Sequence, residues 1–412
     1  GDHRDLHSFP TRRSPIWRTL EADPGVTDAY RKAMRRHAYR KRFAQNRARM
    51  GGVITNLLGN LAVLRSKKTA MRDLKPDNVF IAGDLSGDPF LLETPDSYSI
   101  GLIDFETSVV FHPAGGREIP QPMLAGTPSY ATVSHLFTNP FLSGMHPSLE
   151  RILHLQDWHA VNNMIYNVVT GRQMNAEAGR LMPLMIREMK ASRGANLSGE
   201  DLYRKYSALF WRTALAEFTR KVGLHHRLLA DVRVQIPRSV REMLSEEIGC
   251  SGSAIGAWIR TLLETPSISL SPRDRDAVLK ASSAQVRQLR HRWEKGAVER
   301  NLPEAVRSRV PGILSGLAKL KQDGEEMEAF LERISVPRPV VQAEELLRVM
   351  FHTVLYGMHQ PEWGVITGER DPAPGASASA GDPEAAAGGE TVTVPDRPAA
   401  RGEDPPPKRE RP

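Results

Sequence analysis

The chain has 412 residues, 40% of them apolar, and 56 Lys and Arg against 48 Asp and Glu give a formal charge of +8. That length allows two or three domains with real cores, at roughly 150 residues each. A single cysteine, Cys250, excludes a disulfide framework and any cysteine-built zinc site. No apolar run reaches the roughly 18 residues of a membrane span, and no apolar signal core opens the chain, so a cytoplasmic protein without membrane contact is expected.

Residues 5–14 (DLHSFPTRRS) resemble the translation of a common sequencing-adapter oligonucleotide, so residues 1–14 are expected to be a non-native leader. Residues 29–50 then hold nine Lys or Arg and no acid. Such a stretch could meet phosphate groups or an acidic partner. A solvated helix face with Ala33, Met34, Ala38 and Phe43 on its other side is the preferred reading, and no nucleic-acid partner is expected. Between Gly51 and Lys68, Val53, Ile54, Leu57, Leu58, Leu61 and Leu64 recur at helical spacing.

Short apolar runs at Val79–Ile81 and Ile100–Ile103 read as strands joined by a long hairpin-like excursion. Residues 155–170 again have helical spacing and stop before Gly171, as helix C-termini often do. From about 178 to 362 helix follows helix, broken by prolines at 237, 266, 303, 311, 337 and 339. The stretch 271–366 reads as a helical extension that could pack on the preceding part, bind a partner helix or form a small regulatory domain. Residues 367–412 hold nine Pro, nine Ala, six Gly and no aromatic, a composition that predicts disorder.

The chemistry concentrates between residues 71 and 134. Met71-Arg72-Asp73-Leu74-Lys75-Pro76-Asp77-Asn78 places an acid, a cation and an amide between the helix and the first strand. Phosphoryl transfer uses these types together: an acid to take the hydroxyl proton, a cation to offset phosphoryl charge, an amide oxygen to hold Mg²⁺. Ile103-Asp104-Phe105-Glu106 puts a second acid directly after the second strand, and Mg²⁺ needs few protein oxygens.

Residues 71–78 resemble the catalytic loop H-R-D-L-K-P-x-N of eukaryotic-type serine/threonine protein kinases, with Met71 in place of the histidine. Residues 104–106 are similar to D-F-G, Gly126 to Tyr130 to G-T-P-x-Y, and Asp157 to Gly171 to the D-x-W…T-G helix. The resemblance covers about 15–175 and extends toward 270. It implies a mainly α (α+β) protein-kinase-like C-terminal lobe over 15–270, with ATP and Mg²⁺ as cofactors and a protein Ser or Thr hydroxyl as substrate. It further implies Asp73 as catalytic base, Lys75 on the γ-phosphate, and Asn78 and Asp104 as Mg²⁺ ligands. Thr127 would touch the Asp73–Lys75 pair, Arg72 would meet a phosphorylated activation segment, and Asp157 would anchor the catalytic loop. Thr107, Ser108 and Thr127 are candidate phosphoacceptors.

Three positions depart from the pattern: Met71, Glu106 for the glycine of D-F-G, and Thr132-Val133-Ser134 for A-P-E. The 31 residues from Asp73 to Asp104 also imply an insertion in the hairpin. Residues 1–50 carry neither a glycine-rich loop nor a V-A-x-K strand, so the chain is expected to be a truncated fragment that binds ATP poorly alone. A pseudokinase scaffold and a small-molecule kinase, the latter hinted at by Asp-Phe-Glu, stand as alternatives. The oligomeric state is not legible. His135, His146, His154 and His159 read as loop or surface histidines, and Glu246-Glu247 and Glu325-Glu326 as solvated faces. Trp158, Trp211, Trp258 and Trp293 read as core or interface.

Overall fold

A computed structural model describes residues 24–83, 92, 95–111, 119–121, 126–191, 198–264, 272–296 and 309–359. The expected leader (1–14) and tail (367–412) lie outside the described residues. The architecture is mainly helical, with six short strands in three two-stranded pairs among the described residues.

Helix α1 (Pro24–Ser66) has two characters along its length. Its first half is basic and largely exposed. Of the four apolar residues expected to cover one side, only Phe43 is buried, while Ala33 and Ala38 are exposed. Its second half buries Ile54, Leu57, Leu58, Leu61 and Leu64, a stripe at three- and four-residue spacing. The change comes at Gly51 and Gly52, where the carbonyls of Arg233 and Leu92 approach so closely that a Cβ at either glycine would collide with them.

Polar side chains on α1 fasten the elements around it. Thr55 Oγ1 donates to Gln235 O at 2.9 Å, Asn56 Nδ2 to Pro95 O at 3.0 Å and Asn60 Nδ2 to Ile100 O at 2.9 Å. The last two hold a hairpin made of β2 (Val79–Ala82) and β3 (Ser99–Leu102), antiparallel with Val79 opposite Leu102. Before it, β1 (Thr69–Ala70) pairs with β4 (Val109–Val110). The short helix α2 (Asn139–Met145) then leads to α3 (Leu149–Thr170), seventeen of whose 22 residues are buried, as befits a helix enclosed on every side. Ser148 caps its N-terminus, and Gly171 ends it at φ 67°, a left-handed conformation that glycine adopts without penalty.

Around α3 stand α4 (Ala176–Ala191), α5 (Gly199–Asp231) and α6 (Arg238–Glu264), then α7 (Pro272–Lys280), α8 (Ser283–Glu294) and α9 (Val310–Ile334). Pro311 starts α9 rather than breaking a helix, since its missing N–H is unpaired there anyway. The final helix α10 (Ala343–Met358) follows strand β6 (Val340–Gln342), which pairs antiparallel with β5 (Arg233–Gln235).

Twelve of the sixteen residues of α10 are buried, against α3, α5 and α6. Phe351 stacks on Phe218 with ring centroids 4.0 Å apart, and Tyr356 meets Trp258 edge-on at 5.2 Å. The end of the stretch read as an extension is therefore part of the core around α3. Each such side chain is worth about 1.5–3 kcal/mol of apolar burial. Trp158, Trp211, Trp258 and Trp293 are all buried.

Candidate active site

The segment 71–78 runs between α1 and the β2–β3 hairpin and is held from below by α3. Asp157, fully buried on α3, accepts Met71 N–H at Oδ2 and Arg72 N–H at Oδ1, both at 2.8 Å. Arg72 takes a left-handed backbone conformation, φ 67°, that a side chain adopts only at a cost. The Asp157 anchor offsets that cost. Burial pushes the Asp157 carboxyl up to about 7, against the pull of these two N–H donors and the Arg72 guanidinium.

Asp73 follows directly and is half-buried. Its Oδ2 accepts Lys75 Nζ at 2.8 Å, and its Oδ1 accepts the Thr127 N–H at 3.0 Å and hydroxyl at 3.1 Å. Burial would raise its pKa, but the Lys75 bond and the two Thr127 donors outweigh it, so the carboxyl is held below its ordinary value. Lys75 is raised in turn, chiefly by its bond to Asp73 and also by the charges of Asp104 and Asp77. The result is a carboxylate kept ionised beside a kept ammonium.

Asn78 ends a single 3₁₀ turn, Pro76–Asn78, that proline favours at its start. Its Nδ2 donates to Asp73 O at 2.9 Å, which leaves Oδ1 as the amide's ligand atom. The hairpin brings Asp104 to it. With Val79 opposite Leu102 and Ile103 N–H donating to Asn78 O at 3.0 Å, residue 104 emerges at the same hairpin end as residue 78. Asp104 is exposed and left-handed, φ 64°. An amide oxygen and an unpaired carboxylate at one end of a hairpin fit a Mg²⁺ ion, which takes few protein oxygens. The left-handed residue of this turn is Asp104 and not Glu106, so a glycine's freedom is not required where the glutamate stands.

Two residues that the sequence gave no reason to choose complete the frame. His135 Nε2 lies 2.9 Å from Arg72 O, and its Nδ1 accepts Thr132 N–H at 3.0 Å. An Nδ1 that accepts leaves Nε2 as the donor, and burial pushes this ring down to about 3, so it is neutral. Gln156 receives Arg72 Nε at 3.1 Å and donates from Nε2 to Ser134 Oγ at 2.8 Å. The segment 132–135 is thus tied to the segment 71–78 by hydrogen bonds through His135 and Gln156. Together, Asp157 and His135 clamp both sides of the Arg72 peptide.

Arg72 itself is 2% exposed, with both terminal nitrogens buried and without a hydrogen-bond partner. Burial pushes its pKa down, against the attraction of Asp157. Of the candidate phosphoacceptors, Thr107 Oγ1 donates to Met71 O at 2.8 Å, Ser108 Oγ to Phe105 O at 2.7 Å, and Thr127 is held by Asp73.

No known family, curated protein or solved structure matches this chain.

Elsewhere the structure corrects several expectations. His135, His146, His154 and His159 are 1–5% exposed, not surface groups. Three of them serve the core: His146 Nε2 bonds Tyr203 Oη at 2.8 Å, His154 Nε2 accepts Trp158 Nε1–H at 3.0 Å, and His159 lies edge-on to Trp211. Glu247, expected on a solvated face, is buried and bridges Arg65 (2.9 Å) and Arg151 (3.0 Å), tying α6 to α1 and α3. Glu325 is exposed as expected, and it also accepts Ser283 N–H at 2.7 Å and so caps α8.

Asp323, Glu326 and His352 present potential ligand atoms within 4.8 Å of one another. Asp323 is already engaged at both oxygens, by Lys319 at Oδ1 and Tyr356 at Oδ2, each at 2.6 Å. The cluster is an internal ion-pair network and fits a cation poorly. Among the described residues no helix is long and apolar enough to cross a membrane.

Proposed function

We propose that this protein transfers the γ-phosphoryl group of ATP to a serine or threonine hydroxyl of a protein substrate, on a kinase-like C-terminal lobe. One observation carries the reading: Asp157 fastens the backbone before Asp73, so that Asp73, Lys75 and Asn78 converge with Thr127 from 54 residues away. Asp73, held ionised, orients the acceptor hydroxyl and takes its proton. Lys75 offers its ammonium to the transferring group, and Asn78 with Asp104 hold Mg²⁺, which offsets the developing charge. Arg72, Asp157 and His135 act through the loop backbone.

Lys75 and the Gly126-Thr127-Pro128 segment favour a protein hydroxyl over a small-molecule acceptor. A scaffold on the same frame is the second reading, and one observation favours it: both oxygens of Asp73 are already engaged by Lys75 and Thr127.

The test is Mg²⁺-dependent transfer of labelled γ-phosphate to a generic Ser/Thr substrate by the purified protein. Asp73→Asn is the control. Transfer that the substitution abolishes is the expected result. Absence of both transfer and ATP binding would overturn the enzyme and leave the scaffold.

A further inference from the structure

The first half of α1 does more than present a charged helix to water. Arg36, Tyr39, Arg40 and Arg47 face one way at helical spacing, and opposite them lies Arg227 near the C-terminal end of α5. Between the two helices is an open cavity of about 600 Å³. That lies within the roughly 300–1,000 Å³ of small-ligand clefts. Four guanidinium groups line it against one carboxylate, Asp231. Tyr39 is 49% exposed beside them. None of the four arginines makes an ion pair among the described residues.

We propose that this cleft binds a single-stranded nucleic acid, phosphates on the arginines and a base on Tyr39. Three features favour that occupant. All four cations are arginine, whose planar fork pairs with phosphate through two hydrogen bonds and stacks on bases, where lysine offers a point charge. The cations continue beyond the cleft, from Arg31 to Arg49 over about 27 Å of helix, so a polymer is neutralised where a small anion would not be. The apolar lining is small, Ala44, Leu228 and a buried Phe43, so an acidic amphipathic helix would find only shallow anchors there. The cleft shares no residue with the phosphoryl-transfer site, so either assignment stands or falls without the other.

The experiment is fluorescence anisotropy of a labelled oligo-uridylate of about 16 nucleotides titrated with the full chain, between about 50 and 200 mM salt. Binding that weakens linearly in log salt is expected. The triple variant Arg36→Ala/Arg40→Ala/Arg47→Ala should lower the magnitude of that slope by about 2, at roughly 0.7 per phosphate contact. Arg227→Ala alone should lower it by about 0.7, and Tyr39→Ala should weaken binding at least about fivefold. All of these side chains are exposed, and unchanged melting curves verify that each variant is folded. No binding at about 50 mM salt would overturn the proposal. So would Arg227→Ala binding as wild type, since the cleft would then not be the site. Displacement of the RNA by polyglutamate at equal charge would also overturn it, in favour of an acidic protein.

Discussion

Mild acid should unfold this protein, because six histidines are buried in their neutral form. Burial pushes His135, His154, His159 and His359 down to about 3, and His146 and His352 to about 4. The same rings titrate near 6.5 in an unfolded chain. As pH falls from 6.5 toward 4, the unfolded chain therefore binds protons that the folded one refuses, and stability present above 6.5 is lost. Between pH 7 and pH 5 each ring removes about 1.9 kcal/mol, and six remove about 11. The sum requires only that the folded values lie at or below about 4.

Asp157 works in the opposite sense. Its folded value of about 7 lies above the unfolded carboxylate's, so the folded state takes up a proton over the same window and regains about 2 kcal/mol. The net loss of about 9 kcal/mol is comparable to the whole stability of a typical domain, about 5–15 kcal/mol. Urea titrations followed by circular dichroism at pH 7, 6 and 5 measure it directly. A loss of less than about 3 kcal/mol over that range would refute the reasoning, and His146→Gln should flatten the profile by about one proton.

Other perturbations test the frame around the site. Asp157→Ala leaves the Met71 and Arg72 N–H groups without their acceptor, at about 1–3 kcal/mol each, and should abolish transfer; a urea midpoint equal to wild type would contradict the anchor. His135→Ala should lower kcat about tenfold, about 1.4 kcal/mol of lost positioning, with KM for ATP unchanged; a rise in KM alone would place its role elsewhere. Gly51→Ala drives a Cβ into the Arg233 carbonyl and should cost about 1–3 kcal/mol. Gly59→Ala, on the same helix with open space around it, should instead stabilise by about 0.5–1 kcal/mol, and thermal melts of the pair compare the two. Glu247→Gln removes the charge that Arg151 pairs with and leaves Arg65 only its exposed partner Glu246; with both arginines about a quarter exposed it should cost about 2 kcal/mol, less than the roughly 3–5 of a fully buried pair.

What could be read from the residues was mostly local. The β2–β3 strands announce themselves as short apolar runs bounded by turn residues, and Gly171 marks the end of α3 because only its own backbone decides that. That Asp73, Lys75 and Asn78 lie together was legible because they fall within six adjacent positions. What could not be read depends on partners far along the chain. His135 acquires its role from Arg72, 63 positions earlier, and Glu247 from Arg65, 182 positions away. A histidine's letter is the same in water and in a core, so the burial of four of them left no local trace. The arginine cleft follows the same rule: the helix stripe is visible in the residues, but Arg227 joins it only through the fold.

The placement of α10 governs how this protein can be made. The helix that covers α3 is among the last described residues, and β6 beside it pairs with a strand more than a hundred positions upstream. On a ribosome adding about 5–20 residues per second, that interval lasts on the order of 5–20 s. For that time the nascent chain, with residues 71–78 already synthesised, exposes the apolar face of α3 that α10 will later close. A chaperone that masks hydrophobic surface during synthesis should therefore raise the yield of folded protein, and a stop codon before residue 340 should leave a product that aggregates.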